Sequence, residues 1–269
     1  MRFLTLILCL AAAVSGRAGD IAWRYAFGVQ NMTVPDADSN TFGVNAAFSA
    51  EETLPSEIHW LASGITYLDH DKDHLDPDHI PVWWQFHAGI DGPLTRGTGP
   101  WGLAWVADAD TKANTVSAVE REIKAMPGLA LRWKGAHTAA ELKAAAGYFF
   151  LEIDDDVPKE RGYDRGDFRN TGFAGSLACD GSCDLGASWQ LLGHAQTWFD
   201  GDGWLENRFS AELRCNVGHW HRDSYLALSV EVNEYNLDPY SPAAATGPYL
   251  PILPWNDDRL TKLSFNTRW

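Results

Sequence analysis

The sequence predicts an all-β fold, an antiparallel up-and-down β-barrel of about 12 strands that crosses a membrane. Three observations carry this. Segments in which apolar and polar residues alternate recur along almost the whole chain. Nowhere after the N-terminus does a run of about 18 apolar residues occur that would cross a bilayer as a helix. The last nine residues, Thr261 to Trp269, alternate and end on an aromatic ring: Leu263, Phe265, Thr267 and Trp269 share one face, and Lys262, Ser264, Asn266 and Arg268 the other.

The chain opens with Arg2, an apolar run from Phe3 to Val14, and the small residues Ser15-Gly16-Arg17-Ala18. That run is too short to span a bilayer and reads as an export signal over residues 1–18, leaving 19–269 as one barrel domain.

Period two then marks the strands in turn. The first sets Trp23, Tyr25, Phe27 and Val29 against Arg24, Ala26, Gly28 and Gln30. The second sets Phe42, Val44, Ala46 and Phe48 against Thr41, Gly43, Asn45 and Ala47. In the third, Ile58 to Tyr67, either Trp60 or Leu61 faces out. The fourth sets Val82, Trp84, Phe86, Ala88 and Ile90 against Trp83, Gln85, His87 and Asp91. The fifth runs through Trp101, Leu103, Trp105 and Ala107, and a short sixth through Leu129, Leu131 and Trp133 against Arg132 and Lys134. The seventh places Leu142, Ala144, Ala146, Tyr148 and Phe150 outward, and the eighth runs from Arg169 to Cys179. The ninth has Trp189 and Leu191 out, with Gln190, His194 and Gln196 in. The tenth has Leu205, Phe209, Ala211 and Leu213 out, with Glu206, Arg208, Glu212 and Arg214 in. The eleventh sets Leu226, Leu228, Val230 and Val232 against Ser229, Glu231 and Asn233, and the C-terminal strand completes the set.

An even count puts both termini at one end. The longer connections, 31–39, 68–80, 108–127, 153–167, 199–203 and 236–258, then lie at the other. Residues Ser117 to Met126 read as a helix in one of them, capped by Ser117 with Glu120 three residues on and ended by Pro127. Trp23, Trp101, Trp133, Trp198, Trp204 and Trp269 fall near strand ends, where aromatic girdles meet the membrane interfaces. A soluble, Trp-rich, sugar-binding sandwich is the competing architecture.

The inward face carries the functional expectation. Arg24, Gln85, His87, Arg132, Lys134, Gln190, His194, Glu206, Arg208, Glu212, Arg214, Glu231 and Arg268 would line the lumen. Mixed charges there need water or one another. They would serve either as a self-neutralising wall or as a lining selective for a small polar solute. The stretch Asp69 to His79 holds five acids and three histidines, and Asp69, His70, Asp71, Asp73 and His74 are candidate ligands for a divalent cation. It lacks the glycine and closing glutamate of an EF-hand loop. No other cofactor is expected. The net charge of −15 excludes nucleic acid as a partner. Cys179 pairs with Cys183 or with Cys215 in an oxidising compartment, or the Cys-x3-Cys pair binds metal. The turn His219-Trp-His-Arg-Asp-Ser224 holds the three residue types of a hydrolytic triad.

The export signal, alternating strands, girdle aromatics and terminal Trp269 together resemble a Gram-negative outer-membrane β-barrel protein. The resemblance covers the whole mature chain as architecture. Ser264 and Thr267 depart from the usual glycine and apolar positions of the terminal strand, and no finer family matches. The resemblance implies an outer-membrane location, contact with outer-membrane lipid and lipopolysaccharide, and handling by the barrel-insertion machinery through the strand that ends at Trp269. It carries over no catalytic residue. The function expected is a porin-like narrow channel or uptake protein for small polar solutes. The alternatives are a structural or surface-interaction barrel whose acidic loops bind cations or lipopolysaccharide, and a lipid-modifying hydrolase.

Overall fold

A computed structural model describes residues 21–35, 39–70, 82–95, 99–113, 115, 119–153, 168–221, 223–240 and 256–268. Twelve antiparallel strands form one closed barrel: β1 (Ala22–Val34), β2 (Ser39–Thr53), β3 (His59–His70), β4 (Val82–Pro93), β5 (Trp101–Ala113), β6 (Val119–Lys134), β7 (Thr138–Ile153), β8 (Arg169–Asp184), β9 (Trp189–Phe199), β10 (Trp204–Asn216), β11 (Tyr225–Tyr235) and β12 (Asp257–Arg268). Each strand pairs with its sequence neighbour, and β1 closes the barrel on β12 from Arg24 opposite Arg268 to Thr33 opposite Arg259. Closure leaves no unpaired edge, as a bilayer core requires of spanning backbone. The two outermost strands thus begin and finish at the same end, called here the terminal end. The opposite end is called distal.

The pleat decides what each residue faces. Phe27, Val29, Phe42, Val44, Leu129, Leu142, Phe173, Leu177, Leu228 and Leu263 stand on the outside with a large part of their surface uncovered, Phe173 at 75%. A continuous apolar exterior of this extent needs lipid around it. Trp23, Trp101 and Trp189 ring the terminal end of this band, and Trp204 lies at the distal end. In β3, Trp60 takes the outward side, because Leu61 pairs with inward Glu51 and Gly89.

Four expectations are corrected. The segment Ser117 to Met126 is no helix over its described part. β6 begins at Val119 and runs 16 residues, with Glu122, Lys124 and Met126 buried inside and Arg121, Ile123 and Ala125 outside. Glu120 and Lys124 fit a helical i, i+4 pair, but pairing with both β5 and β7 supplies backbone partners along most of the strand and prevails. The connection read as 108–127 therefore shortens to 114–118. Trp198 is not a girdle residue; it points inward and is fully buried. Leu205 sits at an irregularity in the β9–β10 register and is buried in the interior cluster rather than facing lipid. The cysteines do not pair: β8 runs on to Asp184 and carries both Cys179 and Cys183, and the three described cysteines are free thiols. Cys179 and Cys183 are four residues apart on one strand, about 13 Å. Cys215 lies beyond the intervening β9, about 10 Å from β8. Both separations exceed a disulfide's reach of about 7 Å between Cα atoms.

Pro127 supplies no amide hydrogen and lies in β6 opposite Ala107 of β5. The β6–β7 ladder skips it, resuming at Gly128 opposite Ala145. Gly147 of β7 packs against this gap, where an added Cβ would collide with the Ala125 carbonyl oxygen and lie 3.2 Å from Pro127 Cδ. Gly147→Val is expected to cost about 1–3 kcal/mol by overpacking. The folded fraction, read from heat-modifiable gel migration and urea unfolding, checks it, and an unchanged midpoint would contradict it.

Candidate functional site

The inward row of each strand follows from register, so inward side chains on neighbouring strands lie side by side. From the terminal end upward, the interior changes from a wet charged cup to a packed layer.

At the terminal mouth a cavity of about 720 Å³ is lined by Arg24, Arg214, Arg268, Gln190, Asn216 and Tyr225, among others. Arg24 and Arg268 are direct cross-strand partners. Their acids stand well off: Arg24 Nε lies 3.9 Å from Glu51 and Arg268 Nη1 3.9 Å from Asp223. Gln190 donates to Asp184 at 3.1 Å, and Arg214 pairs with Glu212 at 2.5 Å and stacks its guanidinium 4.9 Å from the Tyr225 ring centre. A second cavity of about 520 Å³ lies along β6–β10, lined by Arg132, Lys134, Glu141, Asp180, His194 and Glu212. Arg132 donates to Asp91 at 2.6 Å and to Glu141.

Among the described residues three histidine–aspartate pairs stud the lumen wall, each between neighbouring strands. They are His59 with Asp91 (3.0 Å), His87 with Asp110 (3.0 Å) and His194 with Asp180 (2.7 Å). Each uses Nδ1, and Nε2 of His87 stands 3.9 Å from Asp108. Lys143 bridges between them, 3.3 Å from Asp180 and 3.8 Å from Asp108.

A third cavity, about 260 Å³, reaches up past Gln85, His87 and Asp110 and ends against Lys112, Glu122 and Arg208. Here the lumen is crossed. Lys112 of β5 donates to the Tyr235 hydroxyl of β11 at 3.0 Å, and β5 and β11 are six strands apart in a ring of twelve, on opposite walls. Lys124 of β6 meets Glu206 of β10 at 2.5 Å and Glu122 at 3.0 Å. Arg208 of β10 reaches back to Glu122 at 3.1 Å, also touching Glu206 at 3.2 Å. Lys124 Nζ stands 3.6 Å above the centre of the Trp198 ring. Asn233 donates to Glu231 at 3.1 Å and to Asp258 at 2.8 Å, and accepts from Arg208 Nε at 3.2 Å.

Around this network the layer is filled. Met32, Tyr67, Trp83 and Leu260 form one cluster, with Tyr67 stacked on Trp83 at 3.6 Å. Phe149, Leu151, Phe168, Trp198, Tyr235 and Tyr240 belong to another. Tyr240 comes from a 3-10 turn (Asp238–Tyr240) after β11, and its hydroxyl donates to the Leu151 carbonyl at 3.4 Å. Burial pushes that phenol's pKa above its ordinary value. Lys112, Glu122, Lys124, Trp198, Glu206 and Tyr235 are each 2% exposed or less. Among the described residues these side chains form a layer that presents almost no surface to water.

The thirteen residues singled out from sequence all lie on inward rows. They do not act as one lining: Arg24, Gln190, Arg214 and Arg268 belong to the terminal mouth, while Glu206 and Arg208 belong to the packed layer. Sequence reading missed Asp108, Asp110, Lys112, Glu122 and Lys124, because they fell in the stretch taken for a loop. Their period-two spacing was the available signal. Among the candidate metal ligands, Asp69 faces inward, accepting from Gln30 at 2.7 Å and Trp83 at 2.6 Å. His70 faces the other side of β3 and is exposed, so the two cannot share one ion. Asp71, Asp73 and His74 lie outside the described residues. In the turn before β11, His221 Nδ1 lies 2.8 Å from the Thr267 hydroxyl, and Ser224 donates to that same hydroxyl at 3.1 Å, so Thr267 stands between the two.

The NanC porin superposes with a TM-score of 0.51 over 90% of this chain and 98% of its own, at 8% identity. The chain has the outer-membrane β-barrel fold. An anion-selective porin from Comamonas acidovorans matches with a TM-score of 0.44 at 8% identity, over 93% of this chain and 98% of that one. The Salmonella typhi outer membrane phospholipase, a dimer with bound calcium, matches with 0.44 at 12%, over 91% and 90%. At such identities the likeness is one of fold. No protein-family model matches the sequence, and no curated protein matches it. What this outer-membrane-type barrel does must therefore be argued from its own lumen.

Proposed function

We propose that this barrel sits in the outer membrane of a Gram-negative bacterium, exported by residues 1–18, and works as a gated uptake channel for a small polar solute. The terminal end faces the periplasm. The observation that supports the reading most is the change of character along the lumen. A charged, water-accessible cup occupies the terminal half, and a packed polar layer held by Lys112 and Tyr235 closes it above. Mixed arginines, acids and histidines around water suit a solute that exchanges its hydration for several weak contacts and then leaves.

The closed layer makes a definite expectation for the unmodified protein. In planar bilayers it shows rare, small conductance steps rather than a steady open pore, and in liposome-swelling assays small polar solutes enter far faster than disaccharide-sized ones. The same closed layer favours the second reading, a structural barrel. That reading replaces the first if neither the wild-type protein nor a variant with its layer opened passes ions or solutes.

A further inference from the structure

One outward row at the distal rim departs from the apolar exterior. Arg121 of β6, Glu152 of β7 and Arg169 of β8 are direct cross-strand neighbours, all on the face that turns away from the lumen. Glu152 is fully buried on that outer face, with the guanidiniums of Arg121 and Arg169 among the groups against it. Its Oε2 lies 3.2 Å from Arg121 Nη2 and its Oε1 accepts from Arg169 Nε at 2.9 Å. The arginines themselves stay open, at 48% and 40% of their side-chain surface. The Arg169 contact uses Nε and leaves its two terminal amino groups as an outward fork.

Among the described residues two positive charges share this carboxylate, on a wall whose exterior is otherwise largely apolar. Elsewhere on the same rim the balance is reversed: the outward side of β11 and β12 carries Glu234 and Asp257 with Arg259. Height fixes what the pair meets. Arg121 is twelve residues along β6 from Trp133. At about 3.3 Å per residue and a tilt near 40°, that is about 30 Å along the membrane normal, against an apolar band of about 25 Å. With Trp133 at one interface, Arg121 reaches just past the other, level with headgroups. Below the row, Ile123, Tyr148 and Phe173 offer an uncovered apolar strip on the same three strands, Phe173 being the most open large apolar side chain among the described residues.

We infer that Arg121 and Arg169 form a docking site for a phosphate group of outer-leaflet lipopolysaccharide, with an acyl chain lying along Ile123, Tyr148 and Phe173. Guanidinium forks match phosphate geometry and lose little hydration on pairing. Glu152 holds both side chains in place without neutralising them. The inference rests on the outer-membrane placement proposed above, but not on conduction.

Native mass spectrometry of the detergent-released full-length barrel tests it, with defined lipid A added as the probe. The wild-type protein retains bis-phosphorylated hexa-acyl lipid A and holds the same lipid stripped of both phosphates at least about tenfold less, as loss of charge-assisted hydrogen bonds implies. Arg121→Gln/Arg169→Gln loses retention by a similar factor, and Arg121→Lys/Arg169→Lys keeps an intermediate share, since charge remains but the fork does not. Equal retention of the two lipids by the wild-type protein would overturn the inference, and that measurement needs no variant to fold. So would unchanged retention by the glutamine pair once heat-modifiable migration shows it folded. Conductance of the glutamine pair in bilayers of phosphatidylcholine alone stays at the wild-type level. A protein that binds the phosphorylated lipid yet never conducts would fail the channel reading and leave this one standing.

Discussion

Lys124→Met lowers the stability of the barrel by about 3–5 kcal/mol, the cost of leaving buried charge uncompensated. Lys124 stands 2.5 Å from Glu206 and 3.0 Å from Glu122, and none of the three is more than marginally exposed. Removing the ammonium leaves two carboxylates facing each other with Arg208 as the nearest remaining cation, 3.1 and 3.2 Å away. The ring of Trp198 loses the cation above it at the same time. Urea unfolding in phospholipid vesicles, followed by tryptophan fluorescence, measures the change. Lys124→Met combined with Glu206→Gln removes charge of both signs and recovers most of the loss, because a neutral pair of similar size costs little to bury. A single variant as stable as the wild-type barrel would mean that water reaches this layer and that it is not the seal described here.

Opening the seal has the other large effect. Lys112→Ala with Tyr235→Ala cuts the bridge between opposite walls and removes a ring from the distal cluster. The 260 Å³ cavity beneath then loses the Lys112 side chain from its lining. Single-channel conductance rises several-fold over the wild-type protein, and solute flux in liposomes rises with it. Lys112→Ala alone gives a smaller rise, since Tyr235 stays packed in its cluster and keeps its contact with Asp258 at 3.5 Å. No rise in the double variant, in a barrel shown to be folded, would sink the idea that this layer gates the lumen.

Much of the fold was legible because each strand of a membrane barrel records its own two environments. Trp23, Tyr25, Phe27 and Val29 against Arg24, Ala26 and Gln30 needs no partner to be read, and the same holds for β4, β7 and β11. The reading failed where both faces of a strand leave the pattern. Above the apolar band, β6 carries Arg121 outside as well as Glu122 and Lys124 inside, so its first half looks like a charged helix until β5 and β7 are seen to pair with it. Trp198 failed for the opposite reason. An indole near a strand end suits a membrane interface as well as a packed interior, and only register chooses.

The candidate site was legible in kind but not in arrangement. Sequence alone determined the number of strands, the side of the wall on which Arg24, His87, His194 and Arg208 stand, and the lipid-facing exterior, because these follow from period two and burial one strand at a time. Only the closed tertiary structure decided that Lys112 meets Tyr235, that Lys124 meets Glu206, and that the charged lumen is a cup under a packed layer. Those pairs join strands that are neighbours neither in sequence nor in hydrogen bonding, and curvature of the whole barrel is what brings their side chains within reach.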